Sequence, residues 1–553
     1  MKKITCKLIL PIVAVFSLSG CIKEEFPTNG AIADQVAESA SALEAMVNSI
    51  PTSMILYAQN YSQAWDFGYP AMMVSLTSMT GDLVIAGVSG YDWFPYWSQN
   101  TYLSEEYVTG YQFWYNYYTW IKNCNDVIST LAVVAEEDLN ASQRAFLGIA
   151  LTFRASYYLD LVRLFQPKAP TSDKVHGYTI SDAIKELSCV IVTENTTEEE
   201  SRSNPRATAT EVYDQVIFPD LERAERYLDG YVRETKTMPD KSVVYGLMAR
   251  AYLERGTAGV AGAYEKAAAY ARKAITESGC VPLTQDQWED PINGFNNSGS
   301  NKAWMWCTNQ TSDQVQNLYS FIAHMSLEED WTNYGKSVGR SIVSNLYNQI
   351  ADDDFRKHSW LDPAFFDYYD YKSCRPDAAT FFLDVYPGTS NTKEYGCIKF
   401  RPGSGDYVTY SNGNAIDFPT MRVEEMYLIE AEAKGAVSLT DGTEALTAFV
   451  QTYRQPSYSC NARTLEAFQE AIGLQARIEF WGEGIPFYYK KRLGLGIHLA
   501  NTNCIYDDYR FELDGVAPWW NLVIPRMERQ SNPAIPAELN NPDPTSTVDK
   551  IIE

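Results

Sequence analysis

The stretch from Lys241 to Ser278 most constrains the fold of this chain, because it predicts two short antiparallel helices. Small and aromatic residues recur there at spacings of three and four, which places each set on one helical face. These residues are Ala249, Tyr252 and Gly256, then Tyr264, Ala267, Ala271 and Ala274. Small side chains let two helix backbones approach closely. One helical hairpin cannot bury its own apolar face, so we expect further helix pairs elsewhere in the chain.

The hairpin resembles a tetratricopeptide repeat (TPR), a helical unit that stacks on its neighbours. The usual tight turn is replaced here by the glycine- and alanine-rich segment from Thr257 to Ala263. A scaffold of such repeats shares one continuous core and can run through a long chain as a single unit. The 553 residues of this chain are ample for such a core.

Charge and cysteine usage exclude several classes of protein. The formal net charge of −25 repels phosphate backbones, so we expect no nucleic-acid partner. The 10 cysteines contain no CxxC pair and the four histidines lack metal-ligand spacing, so neither a metal site nor a cofactor is expected. We interpret the cysteines beyond Cys21 as isolated buried thiols, with one or two disulfides as the alternative.

Residues 1–20 have the pattern of an export signal. Three lysines precede an apolar run from Leu8 to Leu18, which is too short to span a membrane. The run ends in Leu18-Ser19-Gly20-Cys21, a pattern typical of a bacterial lipobox, so Cys21 is predicted to carry the lipid that anchors the protein. The alternative is a free cysteine after an ordinary signal. Residues 21–30 are interpreted as the lipid anchor and tether.

Three later stretches resemble, in this order, motifs of the SusD/RagB family of outer-membrane nutrient-binding lipoproteins. Ala141 to Phe165 resembles the signature helix of the family, Asp417 to Ala433 its late repeat helix, and Val523 to Pro533 its C-terminal motif. The segment from Arg477 to Gly494 also resembles the family, but it lacks the usual arginine at Gly482-Glu483-Gly484-Ile485-Pro486-Phe487. The chain is therefore identified as a divergent member.

The resemblance implies a mainly α-helical, TPR-like scaffold of the SusD type. Residues 31–553 are expected to form one domain, with helices within 31–280 and 418–482. Helical periodicity fades in residues 281–417, which we expect to be a loop-rich insert that faces a glycan. Residues 77–100 are also expected to be a loop, because glycine and proline surround bunched aromatic residues there.

The family resemblance also implies a function. It predicts a protein on the surface of a Gram-negative outer membrane, held by lipid on Cys21, that captures an oligosaccharide. The ligand would then pass to a TonB-dependent, SusC-like transporter. We expect no enzymatic activity, because acidic runs such as Asp352-Asp353-Asp354 are more typical of turns and caps than of paired catalytic carboxylates. The alternatives are a lipid-anchored glycoside hydrolase and an interaction protein whose repeat groove binds peptides.

Aromatic side chains are the candidate glycan-binding groups. Sugar rings present flat C–H faces that stack on tryptophan and tyrosine, while neighbouring polar groups pair with hydroxyls. The predicted binding residues share a position where helical periodicity lapses: Trp93, Tyr96, Trp97, Trp304, Trp306 and Trp331. Loops on a rigid scaffold are where binding residues collect. The alternative for each tryptophan is packing in the core, which is favoured for Trp519 and Trp520.

Overall fold

The computed structural model describes residues 33–61, 63–88, 90–331, 333–362, 372–378, 381–382, 394–504 and 510–551. The export signal, Cys21 and the tether lie outside the described residues, so their assignments stay predictions. The assignment of residues 31–553 to a single domain also stays a prediction.

Helices dominate the structure, which confirms the mainly α-helical fold class. In chain order they are α1 (Ala33–Glu38), α2 (Ala40–Ser53), α3 (Tyr69–Ser78), α4 (Phe94–Ser98), α5 (Val108–Leu131), α6 (Ala141–Phe165), α7 (Glu198–Ser201), α8 (Ala209–Val212), α9 (Phe218–Tyr227), α10 (Lys241–Thr257), α11 (Ala263–Ser278), α12 (Gln285–Glu289), α13 (Phe321–Met325), α14 (Tyr334–Val338), α15 (Ser344–Tyr347), α16 (Tyr410–Gly413), α17 (Val423–Val437), α18 (Leu439–Tyr453), α19 (Leu465–Glu479), α20 (Ile485–Leu493) and α21 (Arg526–Ser531). Short 3-10 helices cover Glu136–Asp138, Phe355–Ser359, Gly403–Gly405, Pro518–Trp520 and Ala537–Leu539.

The strands of the described residues pair as two-stranded antiparallel sheets. These pairs are β1 (Leu83–Ile85) with β3 (Arg340–Ile342), β2 (Trp304–Asn309) with β4 (Asp417–Arg422), and β5 (Ile497–His498) with β6 (Glu512–Leu513). Strands β2 and β4 join the two ends of the insert and bring Trp304 opposite Arg422.

The predicted hairpin is formed by α10 and α11. The Asp240 side chain caps α10 by accepting the backbone N–H groups of Ser242 and Val243 at 3.0 and 3.3 Å. The predicted alanine stripe of α11 is fully buried, at Ala267, Ala271 and Ala274. A Cβ atom built on Gly256 would lie 2.7 Å from the Tyr264 ring, so glycine is needed for this approach. The face predicted from the spacing is therefore the face that packs.

Further helix pairs surround this hairpin, as expected. Helices α17 and α18 cross so closely that a Cβ on Gly442 would lie 2.3 Å from the Cα of Gly435. Helix α11 packs against α17, which joins the two hairpins across the insert. Helices α5 and α6 form another pair. The late helices thus complete the core that the first hairpin cannot close alone.

Helix α6 has the boundaries predicted from the sequence. Asn140 and Gln143 form a capping box at its start. The side chain of Arg154 leaves the helix to bind both carboxylate oxygens of Asp220, at 2.7 and 2.8 Å. Among the described residues, α6 is the one helix whose length and apolar composition would allow it to cross a membrane, and 94% of that stretch is buried inside the molecule. It is therefore a core helix.

Two stretches depart from the expectation. Residues 77–100, expected to be a loop, contain β1 and the short helix α4. Pro95 lies in the first turn of α4, where the missing backbone N–H of proline costs no helical hydrogen bond. A π-helical segment, Tyr213–Ile217, lies between α8 and α9 and interrupts the helical pattern expected within residues 31–280. Pro219 follows directly and has no backbone N–H to donate to the preceding turn, which accounts for the altered hydrogen bonding.

The main hydrophobic core contains residues from Leu43 to Val548. It includes side chains of the insert as well as those of the helices. The insert also has a small hydrophobic cluster of its own, formed by Leu327, Leu361, Phe382 and Ile398. Trp519 and Trp520 are buried in the main core, and both indole N–H groups donate to the Met79 carbonyl at 3.0 Å. The expectation that these two tryptophans belong to the core is confirmed.

Candidate functional site

Three of the six predicted binding residues lie in the core. Trp97 and Trp304 have no exposed surface and Trp306 is 2% exposed. Trp306 packs edge-on against Phe153 of α6 at 5.1 Å, and its indole N–H donates to the Thr237 carbonyl at 3.1 Å. In this structure these rings present no face to a ligand. Their prediction as binding residues is therefore corrected to core packing, because large aromatic rings gain most by leaving water.

Trp93 and Tyr96 are partly exposed and belong to a cluster of four rings. This first aromatic cluster consists of Trp93, Tyr96, Tyr102 and Tyr107. Centroid distances are 5.6 Å from Trp93 to Tyr96, 5.2 Å from Tyr96 to Tyr102 and 4.9 Å from Tyr102 to Tyr107. Edge-to-face contacts of this kind stabilise rings against each other while leaving other faces open. A glycan-binding role for Trp93 and Tyr96 stays a prediction.

The backbone of this cluster is held in an unusual conformation. Asn100 and Tyr102 both have φ angles in the left-handed region, at 55° and 58°. Such angles cost a side-chain-bearing residue about 1 to 3 kcal/mol and cluster at functional sites. Thr101 secures the turn by donating its backbone N–H and its hydroxyl to the Tyr96 carbonyl, at 3.0 and 2.7 Å. The turn presents the Tyr102 ring between Trp93 and Tyr107.

A second aromatic cluster, which the sequence prediction missed, continues this surface. It consists of Tyr57, Tyr61, Tyr111, Tyr115 and Tyr319, all partly or substantially exposed. The rings of Tyr111 and Tyr115 stack at 5.3 Å, and Tyr61 meets Tyr111 at 5.7 Å. Tyr57 and Tyr319 pair at 5.5 Å. Two exposed tyrosines, 41% for Tyr61 and 42% for Tyr115, make this the more accessible cluster.

Helix α5 connects the two clusters. Tyr107 precedes its first residue, and Tyr111 and Tyr115 follow at intervals of four, so the three side chains form a stripe along one side of the helix. This spacing was a signal in the sequence that could have identified the second cluster. Beneath the stripe, Trp65 contacts Tyr61 at 5.9 Å and the buried Trp97 at 5.8 Å. Trp97 thus supports the surface from the core.

Asp66 positions the loop that carries Tyr61. Its carboxylate accepts the backbone N–H groups of Asn60 and Tyr61 at 2.6 and 2.8 Å, and the Asn60 side-chain amide at 3.1 Å. Burial raises the pKa of Asp66, and these three donors partly offset that rise. The side-chain oxygen of Asn60 has no hydrogen-bond partner among the described residues. This oxygen is buried.

Two hydroxyls of this surface, those of Tyr111 and Tyr319, are protonated at neutral pH. Partial burial raises the pKa of Tyr111, and its neighbours Tyr115, Tyr61 and Asp66 raise the pKa further. Burial also raises the pKa of Tyr319, with a contribution from Asp66. Both hydroxyls can therefore donate hydrogen bonds. Rings for stacking and hydroxyl groups for hydrogen bonds together form chemistry that suits a neutral sugar.

The segment that contains Trp93 and Trp97 contacts the insert, which contains the other predicted tryptophans. These contacts are made mainly by residues other than the tryptophans. The Tyr91 N–H donates to the hydroxyl of Tyr334 at 3.0 Å, and Arg340 donates to Asp92 at 2.6 Å. Below this contact lies His324, stacked on Tyr334 at 4.9 Å and edge-on to Phe94 at 5.0 Å. These buried contacts hold the base of the first aromatic cluster against the insert.

Trp331 is partly exposed and lies over Gly413. A Cβ on Gly413 would fall 2.2 Å from the Trp331 ring, so the indole needs the glycine beneath it. Its N–H has no partner among the described residues. Asn414, the next residue, donates to the carbonyls of Gln316 and Asn317, close in sequence to Tyr319. A glycan-binding role for Trp331 stays a prediction.

The polar loop from Asp286 to Asn297 uses its carboxylates in contacts within the protein, and Lys372 pairs with both Asp286 and Glu289. Asp290 accepts the backbone N–H groups of Ile292 and Asn293, both at 2.9 Å. Within the described ranges, no group of three or more histidine, cysteine, aspartate or glutamate side chains is placed to hold a metal ion. Seven of the described cysteines form no disulfide with another described residue: Cys124, Cys189, Cys280, Cys307, Cys374, Cys397 and Cys460.

Comparisons with known proteins agree with this architecture. Residues 35–253 match the family model SusD-like_3, described as starch-binding associating with the outer membrane. The fold is similar to that of a SusD-like carbohydrate binding protein from Bacteroides vulgatus, with 22% identity, a TM-score of 0.68, and coverage of 90% of this chain and 98% of that chain. A SusD superfamily protein from Bacteroides thetaiotaomicron has 18% identity and a TM-score of 0.65, covering 91% and 100%.

A laminarin binding SusD-like protein has 20% identity and a TM-score of 0.60, covering 91% of this chain and 99% of that chain. No curated protein matches the sequence. At these identities the structural likeness establishes a shared fold. The names of two of these proteins describe binding, of carbohydrate in one and of laminarin in the other.

Proposed function

We propose that this chain, which is SusD-like by its family match and by its fold, captures an oligosaccharide at the cell surface without cleaving it. The observation that carries the proposal is the presence of two clusters of partly exposed aromatic rings, the first and second aromatic clusters. The descriptions of a starch-binding family and of carbohydrate-binding structural neighbours support the same ligand class.

The geometry suits weak, reversible capture. A stacked ring and a few hydroxyl contacts must replace the well-ordered hydration of the sugar, so the net free energy of binding is modest. Affinities in the micromolar to millimolar range, about −8 to −4 kcal/mol, are expected. Such affinity allows the ligand to be passed on. Several rings in a row, along α5 and the loops beside it, favour a chain of sugars over a single one.

Attachment and delivery complete the proposal. The family description includes association with the outer membrane, and the lipobox supports lipid attachment through Cys21. Two or more acyl chains hold a protein at a membrane stably, since each buried methylene contributes about 0.8 kcal/mol. A SusC-like, TonB-dependent transporter is the proposed recipient, and the helical scaffold offers a large rigid surface for it. Gentle solubilisation and affinity capture should recover a large barrel protein with this chain.

A glycan array followed by calorimetric titration tests the capture of oligosaccharide. We expect saturable binding of at least one neutral oligosaccharide and none of free peptides, which separates capture from a peptide-binding groove. Incubation with the same glycan should release no new reducing ends. Reproducible cleavage would favour the glycoside hydrolase alternative, and the absence of binding across a broad array would contradict the proposal.

A further inference from the structure

A polar cavity of about 410 Å³ lies apart from the aromatic surface and shares no lining residue with it. Its walls come from the end of α6 and the segment after it, from residues 209–213, from the end of α10 and from α20. The volume falls within the range of about 300 to 1,000 Å³ that is typical of small-molecule sites. The aromatic surface is open, whereas this site is a pocket between helix ends.

The cavity is strongly basic in an acidic protein. Its lining includes five basic side chains, Arg163, Lys168, Arg255, Lys491 and Arg492. Only two acidic side chains line it, Glu186 and Glu254. The chain as a whole carries a net charge of −25. A concave site lined by one sign of charge focuses the field and attracts ions of the opposite sign.

Two of the arginines are held in place by carboxylates. Arg492 binds both oxygens of Glu432, one of them at 2.8 Å. Arg163 binds Asp160, and its guanidinium lies 3.6 Å from the centroid of the Tyr488 ring. These contacts neutralise the two arginines from outside the cavity. Among the lining residues this leaves three basic side chains, Arg255, Lys168 and Lys491, against two acidic ones, Glu186 and Glu254, which is an excess of one positive charge.

Neither of the two lysines forms a salt bridge with a described residue. Lys491 is 4% exposed, and its ammonium group donates to the Leu164 carbonyl at 3.1 Å. Lys168 is partly buried and donates to the Arg492 carbonyl at 3.3 Å. Among the residues that the structure describes, neither ammonium group lies within 4.0 Å of a carboxylate. Buried charges are normally paired, because burying an unpaired charge is costly.

Other donors around the cavity are also unsatisfied. The Tyr488 hydroxyl and the Arg163 Nε–H are both buried and have no hydrogen-bond partner among the described residues. Burial lowers the pKa of both lysines, Lys168 lowers the pKa of Lys491 further, and Glu254 opposes the shift in both. An anion between the lysines would oppose this shift more strongly by favouring their charged forms.

We propose that this cavity binds a small oxyanion, a molecule that carries a carboxylate, sulfate or phosphate group. Lys168 and Lys491 supply the charge, and Tyr488 supplies a neutral hydrogen bond. The ligand comes either from solution as an inorganic anion or from an acidic sugar. The proposal is independent of the capture of neutral oligosaccharide on the aromatic surface, because the two sites share no residue.

Calorimetric titration of the purified protein at constant ionic strength tests this site. The probes are sodium sulfate, inorganic phosphate and sodium glucuronate, with glucose as the uncharged control. We expect saturable binding of at least one anion and none of glucose in this cavity. Stronger binding of glucuronate would identify an acidic sugar as the source, and stronger binding of sulfate or phosphate would identify a free inorganic anion.

Variants assign the binding to the cavity. Lys168→Met and Lys491→Met should each weaken it at least about tenfold, since each removes a charged hydrogen-bond donor. Lys174→Met removes the same charge from an exposed position and should leave it unchanged. Should Lys491→Met fail to fold, Lys168→Met decides alone. Absence of saturable anion binding, or equal affinity in the wild type and the folded lysine variants, would overturn the proposal.

Discussion

The guanidinium of Arg454 binds both carboxylate oxygens of Glu479, at 2.7 and 2.9 Å, with both side chains fully buried. Arg454 ends α18 and Glu479 ends α19, so the pair locks two helix ends together. Glu479 also accepts from Arg422 of β4 and from Arg356 of the insert, both at 2.9 Å. One carboxylate thus joins the late helices to β4 and to the middle of the loop-rich insert.

Removing this carboxylate should destabilise the protein strongly. Burial raises the pKa of Glu479, but Arg454, Arg422 and Arg356 outweigh burial and hold the pKa well below its usual range. Glu479→Gln leaves three buried guanidinium groups short of their shared partner, so we expect a loss of about 3 to 5 kcal/mol in the free energy of unfolding. Denaturant unfolding measures it.

A matched control is Glu198→Gln, which removes the exposed pair of Glu198 with Arg202. That pair should contribute less than about 1 kcal/mol. Equal stability of the Glu479→Gln variant and the wild type would contradict the role given to the network.

His324 should make stability fall in mild acid. Burial lowers the pKa of His324 to about 4, Arg340 lowers it as well, and Asp92 opposes them. The folded protein therefore keeps a neutral ring where the unfolded chain, with a pKa of about 6.5, takes up a proton. This contribution to stability is complete above pH 6.5 and is lost as the pH falls towards about 4.

The variant His324→Gln removes the titration and can still donate to the Ala64 carbonyl, which the ring nitrogen contacts at 3.0 Å. The drop in unfolding free energy between pH of about 7.5 and about 4.5 should shrink by roughly 2 kcal/mol in this variant. Unfolding curves at both pH values measure the drop. An unchanged drop would show that His324 is not neutral in the folded state.

Alanine variants of exposed rings should separate binding from stability. Tyr61→Ala, Tyr115→Ala and Trp93→Ala should each weaken glycan binding about tenfold while changing the melting temperature little. Trp97→Ala, by contrast, should cost about 3 to 5 kcal/mol of stability, because it opens a cavity in the core. Calorimetric titration and thermal melts distinguish the two outcomes.

Tyr115→Phe is the matched control for stacking, since it keeps the ring and removes only the hydroxyl. It should retain most of the binding that Tyr115→Ala loses. If none of the exposed variants changes the affinity once folded, the glycan-binding face lies elsewhere on the molecule.

Cys21 should determine whether the protein is retained at the membrane. Cys21→Ser removes the thiol that a lipid anchor requires, so the variant should lose acyl labelling and leave the membrane fraction. Labelling with a fatty-acid analogue and fractionation measure both effects. Acyl labelling that persists in the variant would place the lipid on another residue.

Local spacing was sufficient to predict the helical scaffold. The stripes of α10 and α11, and the whole length of α6, follow from apolar and small residues at intervals of three and four. Such patterns are local, because a helix buries one face whichever element covers it. The boundaries of residues 77–100 were not predictable in this way, since β1 exists only through its pairing with β3, more than 250 residues later.

The binding surface depended on the tertiary structure. The sequence by itself determined that aromatic residues are abundant and bunched where helices lapse, and it placed Tyr107, Tyr111 and Tyr115 on one side of a helix. It could not determine which rings face water, because the residue type alone does not distinguish a tryptophan in the core from one on the surface. Neighbours distant in the chain determine that Trp97, Trp304 and Trp306 are buried and that Tyr61 is exposed. They also determine that Lys491 forms no salt bridge with a described residue. Packing of those neighbours decided which side chains remain free to bind.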